Sequence, residues 1–251
     1  MKTTIKIFGN TDELSLYFGA LVELRIKELP EGQNFTMVLS GGSTPKAVFS
    51  YLAKHFNKQI DWEKVHLFWG DERCVPPEDS ESNYRMAREN LLSHVPIPES
   101  NIFRIKGENY PQKEALAYEE RVKQNVPMTD GVPLFDLFML GMGDDGHTAS
   151  IFPDHPELFH SEKLFDIAVH PETGQQRITA TGKLINHARS IVFLVTGEAK
   201  SAVVATILEK GKGLEKFPAS MVHPINGELY WLLDEGAASK LDDKTSSELK
   251  H

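Results

Sequence analysis

A short glycine-rich turn connects an apolar strand to a helical pattern early in the chain. It spans residues 40–44 and reads Ser-Gly-Gly-Ser-Thr, with Thr44 expected as the helix N-cap and Pro45 at the first helical position. Backbone N–H groups converge in such a turn and the helix N-terminus adds positive potential, which favours a bound phosphate. The residues assigned to this site are Gly41, Gly42, Ser43 and Thr44. A tight turn with an N-cap is the alternative, and the spacing matches neither a Walker P-loop nor a dinucleotide fingerprint.

A histidine follows a second glycine-rich stretch, residues 141–146, which reads Gly-Met-Gly-Asp-Asp-Gly after another apolar strand. This stretch has the Gly-x-Gly-x-x-Gly spacing, but its two adjacent carboxylates would repel a pyrophosphate, which argues against a nucleotide site. We expect His147 and Thr148 to begin a helix. A helix N-terminus disfavours the imidazolium form, and a neutral imidazole suits a general base. The alternative is a histidine that only caps the helix.

Charged residues follow two further apolar strands. Asp71 and Arg73 come after segment 65–69, and Lys200 opens the helix after segment 191–195. A carboxylate and a guanidinium at a strand end would orient a sugar hydroxyl and hold a phosphate. A bound anion would also offset the unfavourable placement of a lysine beside a helix N-terminus. Solvated side chains are the alternative for all three residues.

Several other chemistries lack their residue patterns. The ten histidines include no His-Glu-x-x-His motif, and a single cysteine rules out Cys-x-x-Cys, so we expect neither a metal nor a cofactor. We expect that cysteine, Cys74, to be a small buried residue rather than a nucleophile. The absence of a Gly-x-Ser-x-Gly elbow argues against a serine hydrolase of the α/β type.

The composition is that of an ordinary globular protein. The 251 residues are 40% hydrophobic and 25% charged, and 27 basic against 36 acidic residues give a net charge of −9. Nucleic acid is therefore an unexpected partner. The polar N-terminus does not resemble a signal peptide, and no apolar run approaches the roughly 18 residues of a membrane helix. With one cysteine, these features predict a soluble cytoplasmic protein.

The candidate residues follow apolar strands that alternate with helices. We predict strands over 2–8, 35–39, 65–69, 135–140 and 191–195, and helices from Thr11 or Asp12 to about 27, from Thr44, from near Ser82, from His147 and from Lys200. Continuous apolar strands between helices predict an α/β fold with a largely parallel central sheet that is covered on both faces. Ligands bind such sheets beyond the carboxyl ends of the strands.

We predict one α/β domain over residues 1–241 and a polar, frayed tail over 242–251. The turn-rich segment 126–134 is interpreted as a connecting loop rather than a domain boundary. Segment 165–181 contains two strand-like pieces, which predict a hairpin at an edge of the sheet.

Taken together, these segments resemble the glucosamine-6-phosphate isomerase/6-phosphogluconolactonase family, and within it the 6-phosphogluconolactonases. The matching stretches lie in family order at 40–45 (Ser-Gly-Gly-Ser-Thr-Pro), 71–76 (Asp-Glu-Arg-Cys-Val-Pro), 82–84 (Ser-Asn-Tyr), 141–153 (Gly-Met-Gly-Asp-Asp-Gly-His-Thr-Ala-Ser-Ile-Phe-Pro), 177–179, 186, 193–197, 200 and 231–234. Asp-Gly-His-Thr-Ala-Ser-x-Phe-Pro together with Asp-Glu-Arg is the most specific part. One departure is Lys183, where the family pattern has a proline.

The resemblance implies a modified Rossmann-like three-layer sandwich, shared with glucosamine-6-phosphate deaminases. It implies hydrolysis of 6-phospho-D-glucono-1,5-lactone to 6-phospho-D-gluconate, a step of the oxidative pentose phosphate pathway, without a cofactor. His147 would be the general base, and Asp71 and Arg73 the acidic and basic pair of the active site. The implied substrate- and phosphate-binding residues are Gly41, Gly42, Ser43, Thr44, Arg73, Asp145 and Lys200. The partner would be the sugar-phosphate lactone alone, with monomer and dimer both open.

Two other functions remain alternatives. A deaminase of the same superfamily carries a glutamate five residues after the motif histidine, where this chain has Phe152, which cannot transfer a proton. A sugar-phosphate-sensing regulator would carry a DNA-binding helix-turn-helix segment, and we expect the sheet of this chain to begin within the first ten residues. Release of ammonia from glucosamine 6-phosphate would favour the first alternative, and DNA retention modulated by a sugar phosphate the second.

Overall fold

The computed structural model describes residues 2–242, so the predicted polar tail lies, apart from Asp242, outside the described residues. The strands are β1 (Lys2–Phe8), β2 (Phe35–Leu39), β3 (Val65–Trp69), β4 (Asp71–Arg73), β5 (Ile102–Phe103), β6 (Met128–Thr129), β7 (Val132–Pro133), β8 (Leu137–Leu140), β9 (Phe165–Val169), β10 (Gln176–Ala180), β11 (Ser190–Val195) and β12 (Glu228–Asp234). The five predicted strands are confirmed as β1, β2, β3, β8 and β11.

The α-helices are α1 (Thr11–Lys27), α2 (Ser43–His55), α3 (Asn83–Asn90), α4 (Pro111–Asn125), α5 (Gly182–Ile185) and α6 (Ser201–Leu208). Single 3₁₀ turns lie at Trp62–Lys64, Leu92–His94, Glu99–Asn101, Pro156–His160, Glu198–Lys200, Leu214–Lys216 and Pro218–Met221. The predicted extents of α1 and the start of α3 after its N-cap Ser82 are confirmed. Asn10, rather than Thr11 or Asp12, caps α1, because its side chain accepts the N–H of Glu13.

Seven strands form one parallel sheet, which confirms the predicted α/β class and its Rossmann-like layering. The order is β1-β12-β11-β8-β2-β3-β5, and every neighbouring pair runs parallel. The central strands β2, β8 and β11 are buried along their whole length, as continuous apolar segments covered on both faces require. Their carboxyl ends therefore meet at one edge of the sheet, where the loops after β2, β8 and β11 emerge side by side.

A second sheet of three antiparallel strands, β4-β10-β9, adjoins this edge. The predicted hairpin over 165–181 exists as β9 and β10, but it pairs with β4 and not with an edge of the main sheet. The charged residues 71–73 form β4, so they are not the solvated loop that charge runs usually indicate. The chain passes from β3 to β4 at Gly70, whose N–H bonds to β2 and whose carbonyl bonds to the end of β10. This step carries Asp71 and Arg73 over the carboxyl edge of the parallel sheet.

The segment 126–134 connects α4 to β8 and contains the small hairpin of β6 and β7. It was interpreted as a connecting loop, and its second strand is buried against the rest of the protein. The apolar core runs without interruption from Leu14 in α1 to Leu241 after β12.

Candidate functional site

One cavity at the carboxyl edge of the parallel sheet gathers the residues that the sequence marked for chemistry. Those that line it are Gly41, Gly42, Ser43, Thr44, Asp71, Arg73, His147 and Lys200. Asp145 is the one predicted site residue that does not line the cavity, and it contacts His147 from behind. The loops after β2, β3, β8 and β11 therefore converge on a single site, as the strand-end rule predicts.

The histidine of this site lies in a loop, so the prediction that His147 begins a helix is wrong. Residues 141–155 form turns and one isolated bridge between Thr148 and Ile151. Gly146 has a φ of 80° and Ala149 a φ of 49°, and two left-handed residues this close together interrupt a right-handed helix. His147 therefore does not stand at a helix N-terminus, and no helix dipole acts on it there.

A carboxylate takes the place of the helix terminus. One oxygen of Asp145, Oδ1, lies 2.6 Å from Nδ1 of His147 and also accepts the backbone N–H of His147 at 3.1 Å. Burial by itself raises the pKa of Asp145, but the hydrogen bonds and charge of His147 outweigh it, and the pKa lies below its usual value. Asp145 is therefore an anion that fixes the ring orientation and leaves Nε2 as the nitrogen able to accept a proton. The buried ring of Phe152 packs against the same imidazole, with ring centroids 4.9 Å apart.

Gly143 makes room for this pair. A Cβ on Gly143 would overlap both Nδ1 of His147 and Oδ1 of Asp145. The N–H of Gly143 also donates to the carbonyl of His147 at 2.9 Å, which closes the loop. The glycine spacing that resembled a nucleotide fingerprint is thus explained here by close packing around a histidine–carboxylate pair.

The two charged residues predicted on β4 face the same cavity. Asp71 and Arg73 are two positions apart on a strand, which places their side chains on one face. Asp71 is buried, and its Oδ2 accepts the hydroxyl of Ser150 at 2.7 Å. Since Ser150 follows His147 by three residues and its own N–H donates to Thr179 on β10, this network ties the histidine loop to the small sheet.

A second arginine, Arg177 on β10, lies directly opposite Arg73 in the antiparallel pairing and also lines the cavity. Its side chain is buried, and its guanidinium lies over the ring of Phe152 at 5.5 Å. Within residues 2–242, the buried Nε atoms of both arginines have no hydrogen-bond partner. Burial lowers the pKa of Arg177; attraction from Asp71 opposes this and repulsion from Arg73 adds to it. Two adjacent cations that line one cavity are suited to holding an anion.

The turn after β2 presents the N-terminus of α2 to the cavity. The helix begins at Ser43 with Gly42 as its N-cap, so the prediction of Thr44 as N-cap and Pro45 as first residue is wrong by two positions. The two additional residues enter the helix after Gly42, which takes a φ of 102° and makes no side-chain capping bond. The N–H groups of Ser43 and Thr44 have no partner within a helix and are available to an anion.

Lys200 stands at the start of α6, as predicted, and reaches toward the histidine loop. Its Nζ lies 3.5 Å from Oδ1 of Asp144, which is mostly exposed. The charge of Lys200 at the helix N-terminus is thus offset by a neighbouring carboxylate.

Residues 9–231 match the family described as glucosamine-6-phosphate isomerases/6-phosphogluconolactonase. The chain belongs to this family. It is 47% identical to the 6-phosphogluconolactonase of Haemophilus influenzae, over 81% of this chain and 86% of that protein. It is 38% identical to the human 6-phosphogluconolactonase, over 94% of this chain and 93% of that protein. Its fold matches the solved structure of 6-phosphogluconolactonase from Trypanosoma brucei with a TM-score of 0.84 and 30% identity, over 96% of this chain and 99% of that one.

Sequence reasoning about this family member missed three residues of the site. Arg177, Asn83 and Ser150 were not assigned a role, although the first two line the cavity and the third bonds to Asp71. The available signal for Arg177 was a basic residue in an otherwise uncharged strand segment. Its placement beside Arg73 depends on strand register, which the sequence alone did not provide.

Two general features complete the description. Within residues 2–242, no cluster of three or more histidine, cysteine, aspartate or glutamate side chains has the arrangement needed to hold a metal ion. In the same part of the chain, no helix combines the length and apolar character needed to cross a bilayer.

Proposed function

We propose that this chain hydrolyses 6-phospho-D-glucono-1,5-lactone to 6-phospho-D-gluconate in the oxidative pentose phosphate pathway. The observation that carries the proposal is that His147, whose ring is held by Asp145, shares one cavity with two arginine side chains and a helix N-terminus. A proton acceptor and an anion site within one cavity fit a phosphorylated ester substrate. The relatives named above carry the same activity in their names.

The phosphate is held over the first turn of α2. The N–H groups of Ser43 and Thr44 supply two donors there, and the glycines at 41 and 42 let the backbone approach the ligand closely. Arg73, Arg177 and Lys200 supply the positive charge. Binding energy gained at the phosphate, which takes no part in bond breaking, orients the lactone ring for attack.

His147 acts as the general base on a water molecule that attacks C1 of the lactone. Asp145 orients the ring through Nδ1 and stabilises the imidazolium as the proton arrives at Nε2. General-base catalysis of this kind contributes about 10²–10⁴-fold in rate. The same imidazolium can then return the proton to the ring oxygen as the C1–O bond breaks, so one residue serves both steps.

The developing charge on the carbonyl oxygen requires a donor. Backbone N–H groups of the surrounding loops are the candidates, and such donors contribute about 3–4 kcal/mol where they have been removed in other enzymes. A lactone carbonyl is already electrophilic and no electrons are transferred, so the proposed mechanism uses no cofactor. Asp71 has a positioning role in this scheme, because its carboxylate is bonded to Ser150 and thereby holds the histidine loop.

The deaminase alternative requires an acid–base group five residues after the histidine. That position is Phe152, which is 1% exposed and packs between His147 and Arg177. A buried phenyl ring cannot move a proton, so this chain is proposed to hydrolyse lactones and not to isomerise and deaminate amino sugars.

Two further proposals concern the whole protein. Its location is proposed to be the cytoplasm, which is supported by the single cysteine, Cys74, since no intrachain disulfide can form. Residues 1–241 are proposed to form one domain, which is supported by the uninterrupted core from Leu14 to Leu241.

The proposal is tested by adding the purified protein to freshly generated 6-phosphogluconolactone and following proton release, with the spontaneous opening subtracted. We expect acceleration well above the spontaneous rate and no release of ammonia from glucosamine 6-phosphate under the same conditions. An unaccelerated lactone reaction would overturn the proposal, and ammonia release would transfer it to the deaminase alternative.

A further inference from the structure

Glu72 lies between the two site residues of β4 and does not itself line the cavity. Its side chain points to the opposite face of the strand and is 2% exposed. A carboxylate buried this completely is costly unless donors surround it. The proposed mechanism gives Glu72 no role, although it stands in the middle of the Asp-Glu-Arg motif.

Four donors surround the Glu72 carboxylate. Oε1 accepts the backbone N–H groups of Arg73 at 2.9 Å and Asn83 at 2.7 Å. Oε2 accepts the hydroxyl of Ser82 at 3.0 Å and the backbone N–H of Tyr84 at 2.8 Å. Burial raises the pKa of Glu72 and all four hydrogen bonds oppose that rise. The arrangement places a carboxylate at the N-terminus of α3, where the helix dipole also favours it.

These bonds connect two walls of the cavity. Asn83 is buried, and its Nδ2 donates to the backbone carbonyl of Asp71 at 3.0 Å. Its Oδ1 occupies the space that a Cβ on Gly41 would require. Asn83 therefore contacts both β4 and the glycine-rich turn at residues 40–44, and Glu72 holds Asn83 in place by accepting its backbone N–H.

We propose that Glu72 is a positioning residue for ligand binding, and this inference rests on the proposed function of the site. Its carboxylate fixes the backbone of Arg73 and the first residues of α3, and so sets the guanidinium of Arg73 and the amide of Asn83 against the turn at Gly41. Loss of that carboxylate lowers the affinity for the phosphorylated ligand more than it lowers the chemical rate, because His147 and Asp145 lie on a different loop.

A second buried carboxylate offers a matched control. Glu114 on α4 is also 2% exposed, and it accepts the N–H of Lys106 at 2.9 Å, the amide of Asn109 at 2.8 Å and a guanidinium N–H of Arg121. It does not line the cavity. If Glu72 had only a structural role, substitutions of Glu72 and Glu114 would have the same effect on ligand binding.

The test compares Glu72→Gln with Glu114→Gln. Glutamine keeps the size of the side chain but turns an NH₂ group toward two of the four donors, which leaves them without an acceptor. We expect Glu72→Gln to raise the Kd for 6-phosphogluconate and the KM for the lactone by about tenfold, the loss of roughly one charge-assisted hydrogen bond. The kcat and the pH at which it is half-maximal should stay close to wild type. Glu114→Gln should lower the Tm and leave the Kd unchanged.

A milder pair decides the matter if Glu72→Gln does not fold. Ser82→Ala removes one donor to Glu72 together with the N-cap of α3, whereas Asn10→Ala removes the N-cap of α1 together with a donor to Glu13, away from the cavity. We expect a rise in Kd for 6-phosphogluconate with Ser82→Ala and none with Asn10→Ala. Equal Kd values within either pair would overturn the inference. That result differs from a failure of the proposed function, in which the wild-type protein itself does not accelerate lactone opening.

Discussion

Replacing Arg177 with methionine is expected to weaken ligand binding while stabilising the unliganded protein. Arg177 is buried, its Nε has no partner within the described residues, and its Nη1 reaches the hydroxyl of Ser150 only at 3.5 Å. The guanidinium is therefore held ready for an anion at a cost to the free protein. Methionine preserves an apolar stem against Phe152 and removes the charge.

The two effects have different sizes. A hydrogen bond to a charged group is worth about 1.5–3 kcal/mol, which corresponds to a rise of roughly 10- to 150-fold in the Kd for 6-phosphogluconate. The pKa of Arg177 is lower in the folded protein than its ordinary value, so folding disfavours the charged form. A buried donor without a partner costs the folded protein about 1–3 kcal/mol, and methionine removes that donor. At about 1 kcal/mol, the Tm would rise by roughly 2–4 °C.

The measurement is titration calorimetry with 6-phosphogluconate together with a thermal melt of the free protein. Arg189→Met is the control, because Arg189 is 60% exposed and pairs with Asp136 at the start of β11, away from the cavity. We expect the control to leave the Kd unchanged. An unaltered Kd for Arg177→Met would refute the assignment of this residue to the anion site, and a large fall in Tm would refute the view that its charge is uncompensated.

Two other predictions test the packing around the site. Gly143→Ala should lower kcat by about 100-fold, because the new Cβ displaces the His147–Asp145 pair. Gly141→Ala is the control and should lower kcat much less, because its Cβ would lie 3.7 Å from its nearest neighbour. Equal kcat values for the two variants in steady-state assays would contradict this packing. Burial, and to a lesser extent the charge of Glu72, raises the pKa of Cys74 to about 11. Alkylation of Cys74 by iodoacetamide at pH 8 should therefore be about 100-fold slower than alkylation of free cysteine. The rate of alkylation should increase about tenfold per pH unit up to pH 11. Alkylation is measured by mass spectrometry, and rapid alkylation at pH 8 would show that the pKa of the thiol is not raised by its surroundings.

The parallel sheet could be predicted because each of its main strands is recognisable from its own local sequence. Segments 35–39, 65–69 and 191–195 are continuous apolar runs followed by glycine, and the structure confirms each as a strand buried between helices. The rule that ligands bind beyond the carboxyl ends of such strands then predicted the edge at which the cavity lies, and every predicted site residue except Asp145 lines that cavity. Local composition was sufficient to predict these strands, because a continuous apolar segment of this length fits few positions in a fold other than a strand buried on both faces.

The local conformation around the histidine could not be predicted in the same way. The helix expected from His147 is replaced by a loop because Gly146 and Ala149 adopt left-handed backbone angles, and an alanine gives no warning of this. Asp145 was assigned to the substrate from the family resemblance. The structure places its carboxylate against Nδ1 of His147, a contact that depends on the fold of the loop and that the sequence did not indicate.

Contacts that depend on the pairing register of the strands could not be predicted from the sequence either. Three successive charged residues at 71–73 gave no sign of a strand, yet β4 pairs with β10 and sets Arg177 beside Arg73. The role inferred for Glu72 likewise depends on its contact with the start of α3, ten residues further along the chain. Such pairings are set by tertiary packing and not by local propensity.

The central claim is that the imidazole of His147 takes a proton from water at the lactone carbon, and the most direct measurement is the kcat of His147→Asn. His155→Asn is the matched control, because Nδ1 of His155 lies 3.0 Å from a carboxylate two residues away, in Glu157, outside the cavity. We expect His147→Asn to lower kcat by about 10²–10⁴-fold, with the Kd for 6-phosphogluconate within about threefold of wild type, and His155→Asn to change neither. A His147→Asn protein that keeps the kcat of the wild type would contradict the account.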